Sequence, residues 1–223
     1  MFRQNGSHYE ESTLGFEQVG LPGHGSAAFV LETIPRYRLF FWSVTENATL
    51  YTLGHGTLSE ADLVELLHEA EVEQVVDVRR YPGSRRNPQH GREQLERTLP
   101  EAGIGYSWDQ RLGGRRRPDP KSPNISLRHE AFRAYADYMN TPEFGAGLDA
   151  LVELGLRTRV AVMCAESVWW RCHRRLLADA LVLLRSMQVT HLFHDGRLAP
   201  HRPTPEARVV DCQLIYDVNS TAS

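Results

Sequence analysis

The densest set of reactive side chains in this 223-residue chain lies between Val160 and Arg175. Cys164 and Cys172 supply thiols, Glu166 a carboxylate, His173 an imidazole, and Arg171, Arg174 and Arg175 guanidiniums. Three chemistries suit these types. Glu166 with His173 could move protons, Cys164 could act as a nucleophile, and the arginines could fork onto a phosphate or carboxylate. Metal binding has suitable atoms in Cys164, Cys172, His173 and His55. It lacks a compact ligand pair, since adjacent residues on a helix point about 100° apart, so no metal and no cofactor is expected. The thiol reading has a plain rival, because Cys164 at the end of an apolar run also suits a small buried hydrophobe. Thiol enzymes that wrap the cysteine in an anion-binding loop often close it with an arginine sooner than here, where Trp170 precedes Arg171.

The elements that must hold these groups follow from the pattern around them. Val160 to Cys164 is a β-branched, apolar run typical of a buried strand, and Leu176, Leu177, Ala180, Leu181 and Leu184 recur at helical spacing. The reactive residues therefore fall on a strand-to-helix turn, where α/β folds place ligands against a helix N-terminus. Two more turns share this character. Thr49 to Leu53 reads as a strand ending at Gly54-His55-Gly56, and Gln74 to Arg79 as a strand ending in Arg79-Arg80-Tyr81-Pro82-Gly83-Ser84-Arg85-Arg86. His55, Arg79 and Cys164 would then open onto one rim of a sheet. His55, alone, is as well explained as a local cap; beside Cys164, Glu166 and His173 it becomes a candidate for proton transfer. Asp77 shares a face with Arg79 by the two-residue period of a strand, and a carboxylate this close to a buried sheet needs a cationic partner, for which Arg79 or Arg85 is the nearest candidate. A structural pair shaping the loop is as good a reading of Asp77 as a catalytic acid.

The intervening chain alternates in kind. Thr57-Leu58-Ser59-Glu60 predicts a capping box for a helix running to Ala70, and helices are predicted over 92–99, 127–139 and from Thr141 to just before Gly155. Gly103 to Trp108 and Val189 to His194 read as further strands. Val209 to Val218 reads as an edge strand or docked tail. Strands alternating with helices mean a three-layer α/β fold: a mostly parallel central sheet of about five strands with helices on both faces. The organisation expected is an extension over 1–48, one α/β domain over 49–218 and a short tail over 219–223.

Composition sets the remaining bounds. An apolar content of 41% and a charged content of 24% are ordinary for a globular protein, and the net charge of −3 argues against a generally basic nucleic-acid coat. Lys121 is the only lysine, so arginine position says more than arginine number. Arg115, Arg116 and Arg117 lie in a Pro- and Gly-rich loop, suited to a polyanion such as DNA or RNA or to mere solvation. Three cysteines make no disulfide framework, which fits a cytoplasmic protein. The apolar run Leu39 to Trp42 is too short to span a bilayer, so no membrane partner is expected. Oligomeric state is not legible.

In order along the chain, Thr52-Leu53-Gly54-His55, Val76-Asp77-Val78-Arg79 with Pro82 and Ser84-Arg85, Leu112-Gly113-Gly114, and Met163-Cys164-Ala165-Glu166 leading to Cys172-His173-Arg174 resemble the family catalogued as domain of unknown function four-eight-eight. The resemblance spans Tyr51 to Phe193. It implies that Gly54, His55, Asp77, Arg79, Ser84, Arg85, Cys164, Glu166, Cys172, His173 and Arg174 are signature positions. It implies no reaction. Gly56 before Thr57 is a small departure that weakens a role for a hydroxyl after His55. The expectation formed from the residues is an enzyme-like domain that binds a phosphate-bearing small molecule or nucleic acid. Glu166, His173 and His55 would move protons, and Arg79, Arg85, Arg171 and Arg174 would hold the anion. Asp77, Ser84 and Cys172 would support them. Two alternatives stand beside it: a thiol enzyme with Cys164 as nucleophile, and a non-catalytic nucleic-acid-binding protein.

Overall fold

Strand β4 (Val160–Cys164) sets the plan of the molecule, because every one of its residues is buried and successive side chains enter opposite cores. Val160, Val162 and Cys164 join one apolar cluster, and Ala161 and Met163 join the other. Such a strand must be covered on both faces. A computed structural model of the chain describes residues 49–83 and 87–217. The expected extension over 1–48, the tail over 219–223, and Ser84 and Arg85 lie outside the described residues.

Beside β4 lie β1 (Thr49–Gly54) and β2 (Gln74–Asp77), and the sheet continues to β3 (Gly105–Trp108) at one edge and β5 (Gln188–Leu192) and β6 (Leu198–Pro200) at the other. The order is β3-β2-β4-β1-β5-β6, with five strands parallel and β6 pairing antiparallel with β5. Helices α1 (Glu60–Glu69) and α2 (Arg92–Glu101) bury Leu63, Leu66, Leu67, Leu95 and Leu99 on the Ala161–Met163 face. Helices α3 (Glu130–Met139), α4 (Pro142–Gly155) and α5 (Arg174–Arg185) cover the other face through Tyr135, Phe144, Leu148, Leu176 and Leu177. The expected three layers are therefore present.

Local chemistry explains where several elements start. Helix α1 is capped by Ser59, whose side chain accepts from the Asp62 amide while Asp62 answers to the Ser59 amide. The capping box thus sits two residues later than the Thr57–Glu60 pair that the sequence offered. Thr141 caps α4, accepting from the Phe144 amide, with Pro142 in the first turn where its missing donor does no harm. Helix α3 begins at Glu130 rather than near Leu127, because the Leu127 carbonyl accepts from the Arg133 guanidinium instead of opening a helical ladder.

The residues expected to form an edge strand or tail pair with one another as a separate ribbon, β7 (Ala207–Val210) with β8 (Gln213–Tyr216). Two buried polar groups hold this ribbon in place. Tyr216 donates its hydroxyl to Asp179 at 3.0 Å and its amide to the Asn124 side chain at 2.9 Å. Asp179 also accepts from His201 at 2.8 Å, and His201 continues through His191 to the Thr52 hydroxyl on β1. Among the described residues no helix is long and apolar enough to cross a membrane.

Candidate functional site

In the sheet, β2, β4 and β1 are neighbours, so their carboxyl ends carry Arg79, Cys164 and His55 to one rim. A cavity of about 650 Å³ opens there, and it brings together His55, Arg79, Cys164 and Glu166 with Arg171, Cys172 and His173. Residues from His55 to His173 in the sequence thus converge, including His55 and Glu166, which the sequence separates by more than a hundred positions. Arg115 also lines the cavity, whereas Arg117 stands exposed without lining it. Arg116 is committed elsewhere: it donates to the Gly113 carbonyl at 2.9 Å and lies 3.4 Å over the Tyr138 ring.

The β2 end is a locked assembly. Asp77 is fully buried and takes the Arg79 side chain in a fork, with Nε 2.9 Å from Oδ1 and Nη2 2.5 Å from Oδ2. Tyr106 on β3 adds its hydroxyl to the same carboxylate at 2.8 Å, and the Trp108 indole donates to the Arg79 carbonyl at 2.7 Å. Burial of a charge pair is tolerated only with this degree of satisfaction. The third corner of the guanidinium points at His55 Nε2, 3.1 Å away, while His55 Nδ1 lies 3.0 Å from the Gly56 carbonyl. A guanidinium can only donate and a carbonyl only accept, so His55 is the neutral Nδ1–H tautomer with its Nε2 lone pair occupied. Burial, with the His90 ring and the Arg79 charge beside it, lowers the His55 pKa to about 3.

On β4 the cavity floor is sulfur. A short 3-10 turn, Trp169–Arg171, folds the chain back so that Cys172 Sγ comes 2.8 Å from Cys164 Sγ. His173, the residue before α5, places Nδ1 3.4 Å from Cys172 Sγ and packs edge-on against Tyr135. Its Nε2 is buried without a partner. Arg174 lies beneath them rather than on the cavity surface, 1% exposed, donating to the Glu166 carbonyl. Among the described residues it forms no ion pair with a carboxylate. Burial pushes the Cys164 thiol up, and the hydrogen bond to Cys172 adds to this. For Cys172 burial acts the same way, but the Cys164 hydrogen bond and the His173 and Arg174 charges overcome it and hold that thiol low. The Glu166 side chain itself is exposed at the rim, and no contact joins it to His173.

Glycines admit the close approaches. A Cβ on Gly54 would overlap the Glu166 carbonyl, and one on Gly113 would stand 2.8 Å from the Arg80 amide nitrogen. The Leu112 carbonyl is fixed by the Tyr135 hydroxyl at 2.8 Å, which sets Gly114 against the His173 ring. Gly54→Ala is expected to destabilise the protein by about 2 kcal/mol through this overlap. Thermal denaturation should register it as a loss of roughly 4–8 °C, and an unchanged midpoint would mean the loop moves aside freely.

Sequence reasoning missed four contributors. Tyr106 and Trp108 brace the Asp77–Arg79 pair from an edge strand, and Phe132 and Tyr135 of α3 form a cavity wall from a helix read only as scaffold. Aromatic residues with a polar tip in a short strand were the available signal for the first two. Among the described residues no group of His, Cys, Asp and Glu is arranged to hold a metal ion.

Comparison with known proteins gives one family. A model described as Domain of unknown function DUF488 matches residues 60–181. No curated protein and no solved structure matches the chain.

Proposed function

The chain belongs to the DUF488 family, whose description assigns no reaction, and from the rim cavity we propose that this member is a thiol-dependent enzyme for a phosphate-bearing ligand. The reactive group is the Cys172 thiolate. The observation that carries this reading is the surroundings of Arg174. A guanidinium 1% exposed and without a carboxylate needs an anion nearby, since an unpaired buried charge is very costly. The acids that approach it are the two thiols, whose charges raise its own pKa against the effect of burial. One proton held between Cys164 and Cys172 leaves the pair with a single negative charge, which balances the site.

The remaining groups take roles from their positions. Arg80, Arg115 and Arg171 line the mouth and suit the phosphate. The Cys172 thiolate attacks an electrophilic centre of the ligand. The new sulfur bond forms as the bond to the leaving group breaks, and the departing atom takes a proton from His173. His173 recovers its proton from solvent in the open cavity, and Glu166, exposed at the rim without contact to His173, contributes only its charge. His55 serves here as a positioning residue, because its Nε2 is occupied in holding Arg79. The non-catalytic alternative predicts ligand binding with an inert thiol. Free thiols at Cys164, Cys172 and Cys212 support the reading of a reducing, cytoplasmic setting.

Iodoacetamide labelling read by peptide mass between about pH 5 and 8 tests the reading. Cys172 is expected to react at least roughly tenfold faster than exposed Cys212 at the acid end of that range, and inorganic pyrophosphate should slow Cys172 alone. Equal rates for the two cysteines would defeat the thiolate assignment, and labelling indifferent to pyrophosphate would defeat the phosphate assignment.

A further inference from the structure

A second cavity, of about 610 Å³, adjoins the first, and the two share Phe132 and Arg171 as common wall. Its character differs from the thiol floor. Trp170, 47% exposed, and half-buried Phe132 both line it with aromatic surface. Arg175 lies 5.3 Å over the Phe132 ring with its Nε buried and unpartnered among the described residues, and Arg128 and Arg171 stand exposed with no carboxylate partner among those residues. Across both cavities, leaving aside the paired Arg79, five arginines face two glutamates. The local balance is positive although the whole chain carries −3.

We propose that the two cavities form one trough for a single-stranded nucleic acid, an inference that rests on the phosphate-bearing reading of the first cavity. A single strand supplies what both halves require: phosphates for Arg171, Arg128 and Arg175, and unstacked bases for Trp170 and Phe132. Aromatic faces interleaved with arginines are how proteins hold strands whose bases are free. A duplex keeps its base faces covered and has nothing to place on Trp170. An acidic peptide matches the charge but not the rings. Two joined cavities also exceed what one nucleotide fills, so the ligand continues past the residue that reaches the thiols.

Fluorescence anisotropy on the full chain, with labelled single strands of about ten nucleotides in DNA and RNA forms, tests this. Single strands are expected to bind more tightly than the matching duplex, with log affinity falling against log salt at a slope of roughly −2 to −4. Trp170→Ala should weaken single-strand binding about tenfold or more, while Trp170→Phe keeps most of it. Because Trp170 is exposed, both variants are expected to fold, and circular dichroism checks this. Protection of Cys172 by pyrophosphate should be unaltered in Trp170→Ala. The inference is overturned if duplex binds as well as single strand, if Trp170→Ala binds like the parent, or if a dinucleotide coenzyme outcompetes the strand. Protection by pyrophosphate without strand binding removes this inference alone, whereas loss of pyrophosphate protection removes the reading beneath it.

Discussion

Removing both floor thiols, in the variant Cys164→Ala/Cys172→Ala, is expected to destabilise the protein by about 3–5 kcal/mol, far more than two small truncations warrant. The reason is charge rather than volume. Without the thiolate, Arg174 remains a buried cation with the Glu166 carbonyl and no counter-ion among the described residues. Adding Arg174→Met to the same chain removes the stranded cation and should restore most of the loss, since an apolar group of similar length replaces a charge with no partner. Urea midpoints for the parent, the double, the single Arg174→Met and the triple variant complete the cycle. A coupling of about 2 kcal/mol or more is expected between residues that share one charge balance. Strictly additive effects would mean that the thiols are neutral and that the proposed nucleophile does not exist. Arg174→Met alone should also slow the labelling of Cys172 at neutral pH, because it removes a charge that holds that thiol low.

Acid is the second large lever. Burial, together with the His90 and Arg79 charges, lowers the His55 pKa to about 3, and burial with the His201 and Arg174 charges does the same to His191. In the unfolded chain both take up protons near the ordinary value of 6.5. A base whose folded value is depressed favours the fold above its unfolded value, and that advantage is lost as the pH falls toward the folded value. Two such groups give a slope approaching about 2.7 kcal/mol per pH unit, or roughly 5 kcal/mol between pH 6.5 and 4.5. Stability measured by urea at a series of pH values should show this decline before most carboxylates titrate. His191→Gln is expected to lose about half of the slope, and the ring proton resonances of His55 and His191 should stay flat across the same range. A titration of either ring near its ordinary value would refute the account.

Much of this arrangement could be read from the letters, and the part that could not has a physical reason. His55, Arg79 and Cys164 end apolar runs, and a run buried on both faces implies a parallel sheet whose carboxyl ends form one rim. The two-residue period put Arg79 on the face of Asp77 with Arg85 as the other candidate partner, and the structure shows the fork with Arg79. Cys172 was harder. Read as part of a helix continuing into His173, it points away from its neighbours, whereas the Trp169–Arg171 turn delays the helix to Arg174 and returns Cys172 to Cys164. A single delayed helix start changes which thiol its surroundings hold low. Arg174 shows the same limit. Its spacing allows an exposed ridge with Arg171 and Arg175, but the later helix start turns it inward, beneath the thiols. The second cavity was invisible because Phe132, Trp170 and Arg128 come from three segments with no shared motif.

The bracing of Arg79 has a consequence for how the cleft adapts to an occupant. Asp77, Tyr106, Trp108 and His55 fasten that jaw through side chains seated on three strands. Another part of the wall is backbone turn, at Gly114 and left-handed Arg115. Compliance is therefore unequal: an incoming molecule meets an anvil on one side, and whatever accommodation it demands is absorbed on the other.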